Sequence, residues 1–393
     1  MNPPIPYGRH FLDEEDVEAV VDVLRHGWLT QGPKVPEFEA AIAERVGARY
    51  AVAVSNGTAA LHIACAAAGL GPGDVVVTSP NTFVSSANCA AFVGATPDLV
   101  DIDLDSLNLD PDQFAEHCTT TRSVRAVVPV HFAGLPCDMP RIKGIADEHG
   151  LSVIEDASHA LGATYADGSP VGNCRYSDMT TFSFHPVKMI TTGEGGLVTT
   201  NDEVLYRRLL RLRSHGINKL DDPFINASNA RTEGEVNGWY YEMQELGYNY
   251  RLTDLQAALG LSQLRKLDQF LERRRQLADR YDRAWSGHHA IRPTQAGTRD
   301  RSSLHLYVVR IDFERIGLSR QEFMKRLRAK GIGAQVHYIP VHFHPYHSKN
   351  GSREGRFPVA EGYYRQALSI PLFYALADEE QDFVIDKITE LAA

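Results

Sequence analysis

The chain has 393 residues, of which 43% are hydrophobic and 23% charged, with a formal net charge of -10. This length is sufficient for two domains with substantial cores, and the composition argues against disorder. A nucleic-acid-binding protein normally presents a basic face, so the acidic balance argues against that class. It does not exclude an anionic small substrate, because a local group of arginines can override the global charge.

The cysteines and the absence of a targeting signal indicate the compartment. There are five cysteines, an odd number, and no two are spaced as C-x-x-C. This pattern favours reduced thiols over a disulfide framework or a zinc site. The first six residues lack a basic region and an apolar core, so they do not resemble a signal peptide. The uncharged run over residues 50–73 is interrupted by glycine and proline, so it predicts a strand and a helix rather than a membrane span. We therefore expect a cytoplasmic protein with neither membrane nor nucleic-acid partners.

Strands and helices alternate along the first 200 residues. Asp13 precedes an amphipathic helix, and a second helix ends at Gly47. Near-continuous apolar strands follow, alternating with helices. The predicted strands are residues 51–55, 74–78, 97–103, 125–130, 151–155, 180–184 and 196–200. This alternation predicts an α/β fold with a mostly parallel sheet covered on both faces, and ligands bind beyond the carboxyl ends of such strands.

The remainder of the chain has a different pattern. A polar segment over residues 218–239 predicts a long loop. One long helix is predicted over 252–285, followed by a strand over 305–311, a helix over 320–330, a strand over 335–339 and a closing helix over 378–391. These elements predict a smaller α+β C-terminal domain, so that residues 1–255 form a large domain and 256–393 a small one.

Lys188 is the only formal charge between Met179 and Gly193. Desolvation disfavours an ammonium ion and lowers its pKa, which is how lysines that form Schiff bases become nucleophilic. The alternative is a lysine at the end of a strand whose amine extends to solvent.

Two further segments fit a cofactor that forms a Schiff base with lysine, namely pyridoxal phosphate. Residues 152–159 form a β-branched strand that ends in carboxylates, and Asp156 could hold the protonated ring nitrogen of pyridoxal phosphate (PLP). Residues 51–61 form a strand, a glycine turn and a helix start, where backbone N–H groups and the Thr58 hydroxyl suit a phosphate. The alternatives are an aspartate that caps a turn and an ordinary βα turn. The chain order of phosphate turn, aspartate and lysine favours a PLP enzyme.

With these segments in place, the chain resembles the DegT/StrS-type sugar aminotransferases, which are PLP-dependent transferases of fold type I. The resemblance extends from Leu29-Thr30-Gln31-Gly32 to Ser369-Ile370-Pro371-Leu372. Residues 182–196, 240–251 and 331–338 resemble the members that aminate C4 of a UDP-linked 4-keto-6-deoxy-N-acetyl-hexosamine in pseudaminic acid biosynthesis. These are the UDP-4-amino-4,6-dideoxy-N-acetyl-beta-L-altrosamine transaminases.

The resemblance implies roles for individual residues. It implies that PLP forms a Schiff base with Lys188 and that Asp156 holds the ring nitrogen. The implied cofactor contacts are Gly57, Thr58 and Ser183 with the phosphate, Phe83 with the ring face, and His159 with the ring hydroxyl. Asn249 is implied to reach the cofactor phosphate of a neighbouring subunit, which makes a homodimer necessary for a complete site. The expected substrate contacts are Thr30, His185, Arg251, His337 and Tyr338, with Arg251 on the carboxylate of an amino donor, expected to be glutamate. Core packing is the alternative for Phe83, and a satisfied polar loop residue is the alternative for His159.

Four other hypotheses apply to this sequence. Four histidines between residues 337 and 347 raise the possibility of a metal, but they lack a cysteine partner and two prolines interrupt them, so no metal is expected. A dehydratase that uses the amine form of the cofactor (PMP) would carry histidine in place of Lys188. The substrate could instead be a GDP- or dTDP-linked keto sugar, or the chain could be a non-catalytic regulator that retains the fold.

Overall fold

The computed structural model describes residues 4–219, 222–348 and 354–393. Part of the predicted N-terminal segment (1–3) and part of the predicted loop (220–221) lie outside the described residues. Among the described residues, the helices are all too short or too polar to cross a lipid bilayer.

The first half of the chain alternates strands and helices as predicted. Its elements are α1 Glu14–His26, α2 Lys34–Val46, β1 Tyr50–Val54, α3 Gly57–Ala67, β2 Val75–Thr78, α4 Ser85–Phe92, β3 Thr96–Leu99, α5 Pro111–Thr120, β4 Val124–Val128, α6 Met139–His149, β5 Ser152–Asp156, β6 Met179–Ser183, β7 Gly196–Thr200 and α7 Glu203–Arg213. Asp13 and Asp110 cap α1 and α5 through their side chains, which satisfies backbone N–H groups that a helix start leaves without partners.

The second half contains shorter elements and a second sheet. They are β8 Ile217–Asn218, α8 Ala227–Ala230, β9 Arg231–Thr232, β10 Glu235–Val236, β11 Glu242–Met243, α9 Asp254–Arg265, α10 Leu267–Ala284, β12 Ile291–Pro293, β13 Tyr307–Ile311, α11 Arg320–Ala329, α12 Pro345–Ser348, α13 Pro358–Gln366, β14 Ala367–Ile370 and α14 Asp378–Leu391. Strands β12, β13 and β14 form an antiparallel sheet in that order.

The order and direction of the strands in the central sheet determine where the predicted site residues lie. In the described residues its strand order is β1-β7-β6-β5-β4-β2-β3, and only β7 runs antiparallel to its neighbours. Alternate residues of each strand enter two different cores: Ala51 and Ala53 join one, Val52 and Val54 the other. The strands are therefore buried on both faces, which explains their near-continuous apolar sequence. The adjacent strands β5 and β6 end at Asp156 and Ser183, so these residues reach the same edge of the sheet.

Three predicted elements differ from the structure. The helix predicted over 252–285 is two helices separated at Lys266. The Lys266 N–H donates a hydrogen bond to the Gln263 carbonyl, and its side chain pairs with Asp13, the N-cap of α1, and with Asp16 of that helix. The strand predicted over 335–339 is wrong, because only Gln335 pairs with the sheet, at Ser369. The polar segment 218–239 contains short elements rather than a plain loop. The division at residue 255 stays a prediction.

Candidate active site

A cavity of ≈ 1060 Å³ lies at the carboxyl ends of the central strands. Many of the residues selected from the sequence line it. They are Gly57, Thr58, Phe83, Asp156, His159, Ser183, His185, Lys188, His337 and Tyr338. Segments separated by almost 300 positions therefore meet at one site, as expected for the switch region of an open α/β sheet.

Lys188 is half-buried and its side chain lines the cavity. Burial disfavours the ammonium form and lowers the pKa of Lys188 to about 8, while the negative charge of Asp156 acts in the opposite direction. A lysine that extends to solvent would keep a pKa near its ordinary value of about 10.4. The structure therefore supports a reactive amine.

Asp156 ends β5 and is 5% exposed. Its Oδ2 accepts a hydrogen bond from the Ser86 hydroxyl at 2.6 Å, and its Oδ1 accepts the Ser158 N–H at 3.1 Å. Thr82 lies 2.7 Å from the Ser86 hydroxyl and donates to it, because the Ser86 proton is used on the carboxylate. Asp156 thus caps a local turn and also faces the cavity. Ser86 and Thr82 were not predicted as site residues from the sequence, although two hydroxyl residues one helical turn apart are a recognisable pattern.

The start of α3 forms the opposite end of the site. Asn56 caps this helix by accepting the Ala59 N–H at 2.8 Å. A Cβ on Gly57 would lie 2.8 Å from the Cβ of Ser183, so glycine permits this close approach of β6 to the helix start. The Thr58 hydroxyl lies 2.8 Å from that of Ser85. Hydroxyl groups and a helix N-terminus therefore converge where a phosphate would be stabilised.

Phe83 does not belong to the core. Its side chain is 58% exposed and lines the cavity, with its ring centre 6.3 Å from that of Tyr338. The alternative of core packing is therefore wrong, and the ring is available to stack on a planar ligand.

His159 is buried and bonded at both ring nitrogens. Its Nδ1 accepts the Ala133 N–H at 3.3 Å, and its Nε2 lies 3.1 Å from the Tyr338 hydroxyl. Burial, with smaller contributions from Lys188 and His337, holds the pKa of His159 well below its usual range. The ring is therefore neutral at physiological pH.

Two further histidines flank this ring. His305, which sequence reasoning missed, lines the cavity with its ring centre 4.3 Å from that of His159, and burial also holds its pKa well below the usual range. Burial followed by the charge of Lys188 lowers the pKa of His337 to about 3. The imidazoles near Lys188 therefore act as neutral hydrogen-bonding groups.

A buried hydrogen-bond network around Glu155, on the other face of β5, was also not predicted from the sequence. Glu155 is fully buried and its carboxylate accepts four hydrogen bonds. The donors are His131 Nε2 at 2.7 Å, Tyr165 Oη at 2.7 Å, Ser177 Oγ at 2.5 Å and Thr180 Oγ1 at 3.0 Å. Burial raises the pKa of Glu155, but these hydrogen bonds outweigh it and the net pKa lies below the ordinary value. This network fixes the strand that presents Asp156.

Three predicted site residues do not line this cavity. Thr30 and Asn249 are exposed, and Arg251 is half-buried beside the end of β1, where it pairs with Val54. A single protomer therefore does not bring these residues to Lys188.

The histidines considered for a metal have separate partners. His337 Nδ1 lies 2.8 Å from Ser369 Oγ, His342 Nε2 lies 3.0 Å from Glu361 Oε1, and His347 Nε2 lies 2.9 Å from Asn88 Oδ1. Over the part of the chain that the structure describes, no group of three or more His, Cys, Asp or Glu side chains is arranged to hold a metal ion.

The side chains in the cavity fit pyridoxal phosphate. The helix start with its hydroxyl groups suits the phosphate, Asp156 suits the ring nitrogen, Phe83 suits the ring face, and the Lys188 amine suits the aldehyde. Together with the central sheet, this set of groups defines a fold type I PLP-dependent transferase.

The chain belongs to the DegT/DnrJ/EryC1/StrS aminotransferase family, whose model matches residues 10–389. It is therefore a PLP-dependent sugar aminotransferase. The spore coat polysaccharide biosynthesis protein SpsC of Bacillus subtilis is 42% identical over 390 residues, covering 98% of this chain and 97% of SpsC.

Solved structures of aminotransferases share the fold of this chain over almost its whole length. Helicobacter pylori PseC, an aminotransferase involved in pseudoaminic acid biosynthesis, superposes with a TM-score of 0.89 at 30% identity, covering 99% of each chain. The putative sugar aminotransferase Spr1654 of Streptococcus pneumoniae, in its PMP form, superposes with a TM-score of 0.88 at 31% identity, again covering 99% of each chain. The predictions of family, fold class, cofactor and enzyme class are confirmed.

Proposed function

We propose that this enzyme transfers an amino group from glutamate to the C4 ketone of a UDP-linked 4-keto-6-deoxy-N-acetyl-hexosamine. The observation that carries the chemistry is the position of Lys188, with its lowered pKa, in the same cavity as Asp156. The sugar is supported by the similarity to PseC over the whole chain. The similarity to SpsC supports a role in making a surface polysaccharide.

Each residue of the site has a defined task in this proposal. When bound, PLP supplies an electron sink and carries the amino group between the two substrates. Lys188, with a pKa of about 8, accepts and returns a proton near neutral pH and serves as general acid and base. Asp156 keeps the ring nitrogen protonated, and Gly57, Thr58 and Ser183 hold the phosphate.

Sugar contacts are proposed for the opposite wall of the cavity. His185 is exposed at its margin, and His337 and Tyr338 come from the segment that follows α11. The side chains of His337 and Tyr338 carry hydrogen-bonding groups in neutral form, because burial lowers the pKa of the first and raises that of the second. Such groups suit the hydroxyl and amide groups of a sugar better than a second anion.

A substrate panel tests the proposed function. The enzyme is first converted with glutamate to its amine form, which removes the visible absorbance of the loaded protein. It is then offered UDP-, GDP- and dTDP-linked keto sugars. We expect the UDP-linked 4-keto-N-acetyl-hexosamine to restore the absorbance fastest. Faster restoration by a GDP- or dTDP-linked sugar would replace the proposed substrate. A protein that shows no spectral response to glutamate or to any sugar would be a regulator that retains the fold.

The second part of the proposal is a homodimer with shared sites. Thr30 and Asn249 are exposed and lie outside the protomer's own cavity, so they are available to a second copy. Exposed apolar side chains adjoin both: Trp28 and Leu29 beside Thr30, and Met243 and Leu246 near Asn249. Large exposed apolar groups around a polar contact are typical of an interface. Arg251, two residues after Asn249, is proposed to bind the donor carboxylate across this interface.

Mixing two inactive variants tests the shared site. Lys188→Ala and Asn249→Ala each impair every site of their own homodimer. In a mixed dimer one site carries both changes and the other carries neither. We therefore expect random subunit exchange to restore roughly a quarter of the wild-type sites, the statistical share for a twofold dimer. Activity that stays at the average of the two variants would show that Asn249 serves its own protomer.

Two further expectations remain proposals. The five cysteines are unpaired and buried, which supports a cytoplasmic location because disulfides are rare there. A boundary near residue 255 is supported by the separate core around β12, β13 and β14, which is built from residues such as Tyr307, Phe323 and Ile388.

A further inference from the structure

The hydrogen bonds around His159 have a fixed direction. A backbone N–H can only donate, so the bond from Ala133 requires a lone pair on His159 Nδ1. The single proton of the neutral ring therefore lies on Nε2 and is donated to the Tyr338 oxygen, 3.1 Å away. Ala133 adopts a φ of 58°, a left-handed conformation that alanine rarely holds, which indicates that this turn is maintained at a cost.

Because the hydrogen bonds run from Ala133 to His159 and from His159 to Tyr338, the Tyr338 proton is left for another acceptor. The Tyr338 oxygen accepts from His159, so its own O–H must point elsewhere. Within residues 4–219, 222–348 and 354–393, no other hydrogen-bond partner of this hydroxyl is found, and Tyr338 lines the cavity. A phenol fixed in this way presents a donor to whatever occupies the cavity.

The chemistry of the cofactor identifies the acceptor. In pyridoxal phosphate the ring nitrogen and the aldehyde carbon lie at opposite ends of the ring. The phosphate arm occupies one side between them and a phenolic oxygen the other. Asp156, Lys188 and the start of α3 match the first three groups. His159 and Tyr338 are joined by a hydrogen bond and line the same cavity as Asp156 and Lys188, so we assign this pair to the remaining edge.

We propose that the Tyr338 hydroxyl donates a hydrogen bond to the phenolic oxygen of the bound cofactor, and that His159 is the positioning residue that orients it. This inference rests on the proposed cofactor site and reassigns two predicted roles. Tyr338 contacts the cofactor rather than only the sugar, and His159 acts on the ring oxygen through Tyr338 rather than directly, because its only proton is already donated.

Titration of the visible absorbance of the loaded enzyme tests the inference. A donor to the phenolic oxygen favours the form that has lost its proton, so its loss raises the pKa of the chromophore. A hydrogen bond to a charged group is worth about 1.5–3 kcal/mol, so Tyr338→Phe is expected to raise the titration midpoint by roughly one to two pH units. The groups facing this pair are Asp156, Tyr7, Lys188, His131, His305 and His337. His159, His305 and His337 have lowered pKa values, so they do not titrate in the alkaline range.

Three further variants distinguish donation by Tyr338, oriented by His159, from direct donation by His159. Tyr7→Phe removes a phenol from the same cavity and is expected to leave the midpoint unchanged. His159→Ala is expected to raise the midpoint, and the double variant should shift it no further than Tyr338→Phe alone. An unchanged midpoint in Tyr338→Phe together with a raised one in His159→Ala would overturn the proposal and make His159 the direct donor.

A second measurement requires no substitution and no cofactor. Nitrogen-15 NMR of the unloaded wild-type protein is expected to show His159 neutral, with its proton on Nε2, between pH 6 and 9. A proton on Nδ1 would overturn the proposed orientation of Tyr338 by His159, even if the variants failed to fold. A wild-type protein that develops no visible absorbance with PLP would instead refute the proposed function, so the two failures are distinguishable.

Discussion

Replacing Lys188 by alanine is expected to abolish both the visible absorbance of the PLP-loaded protein and its turnover. In the proposed mechanism the Lys188 amine is both the nucleophile for the cofactor aldehyde and the group that moves the proton, so both tasks are lost together. We expect a decrease in kcat at least on the order of 10⁴-fold, since acid–base catalysis alone contributes up to about that factor. Absorbance spectra and single-turnover rates with glutamate measure the two effects separately.

Two control variants make this result specific. Lys188→Arg keeps a positive charge in the cavity but supplies a guanidinium, which stays protonated and cannot form the Schiff base. We expect it to be as inactive as Lys188→Ala, which would show that the amine matters rather than the charge. Lys325→Ala removes a lysine whose side chain is 79% exposed and should behave as wild type. Normal turnover in Lys188→Ala would end the aminotransferase mechanism proposed above.

The second large effect is expected from Asp156→Asn. Asparagine has nearly the same shape, and its oxygen can still accept from Ser86 or Ser158, so the fold should be retained. The negative charge that we propose keeps the ring nitrogen protonated is lost. Removing one preorganised electrostatic contact typically costs on the order of 10²–10³-fold in kcat, and we expect a decrease of that size with little change in KM.

The same variant should change the titration of Lys188 in the cofactor-free protein. Asp156 raises the Lys188 pKa against the effect of burial, so its neutralisation is expected to move that pKa below its present value of about 8. The pH dependence of lysine modification by an aldehyde reports this shift. Asp147→Asn, on a carboxylate whose side chain is 62% exposed and pairs with Lys143, is the matched control. A wild-type kcat in Asp156→Asn would exclude the ring-nitrogen role.

The elements predicted correctly have strong local signals. Strand β7 and helix α14 have the predicted bounds, because a short run of apolar and β-branched residues marks the strand and an apolar period of 3.6 residues marks the helix. The predicted strand at 335–339 failed for the opposite reason. Its β-branched and aromatic residues favour extended backbone, but pairing partners decide whether such a segment becomes a strand, and only Gln335 finds one.

The same contrast applies to the site. Lys188 and the glycine turn at Gly57 could be selected from the sequence, because an isolated charge in an apolar segment and a strand–turn–helix pattern are local features. The pairing of Ser86 with Asp156, 70 positions away, and of Tyr338 with His159, 179 positions away, has no local signal.

By itself the sequence determined the order of the strands and helices along the chain. It also identified Lys188 and the strand–turn–helix segment at Gly57 as candidate site residues, since each of these signals depends on neighbours within a few residues. Only the tertiary structure decided which of the adjacent carboxylates serves the cavity. The pleat of β5 directs Asp156 to the cavity and Glu155 into a buried polar network. It also decided that Thr30 and Asn249 lie away from the Lys188 of their own protomer, because distances between remote segments are fixed by sheet order and packing, and these are properties of the whole fold.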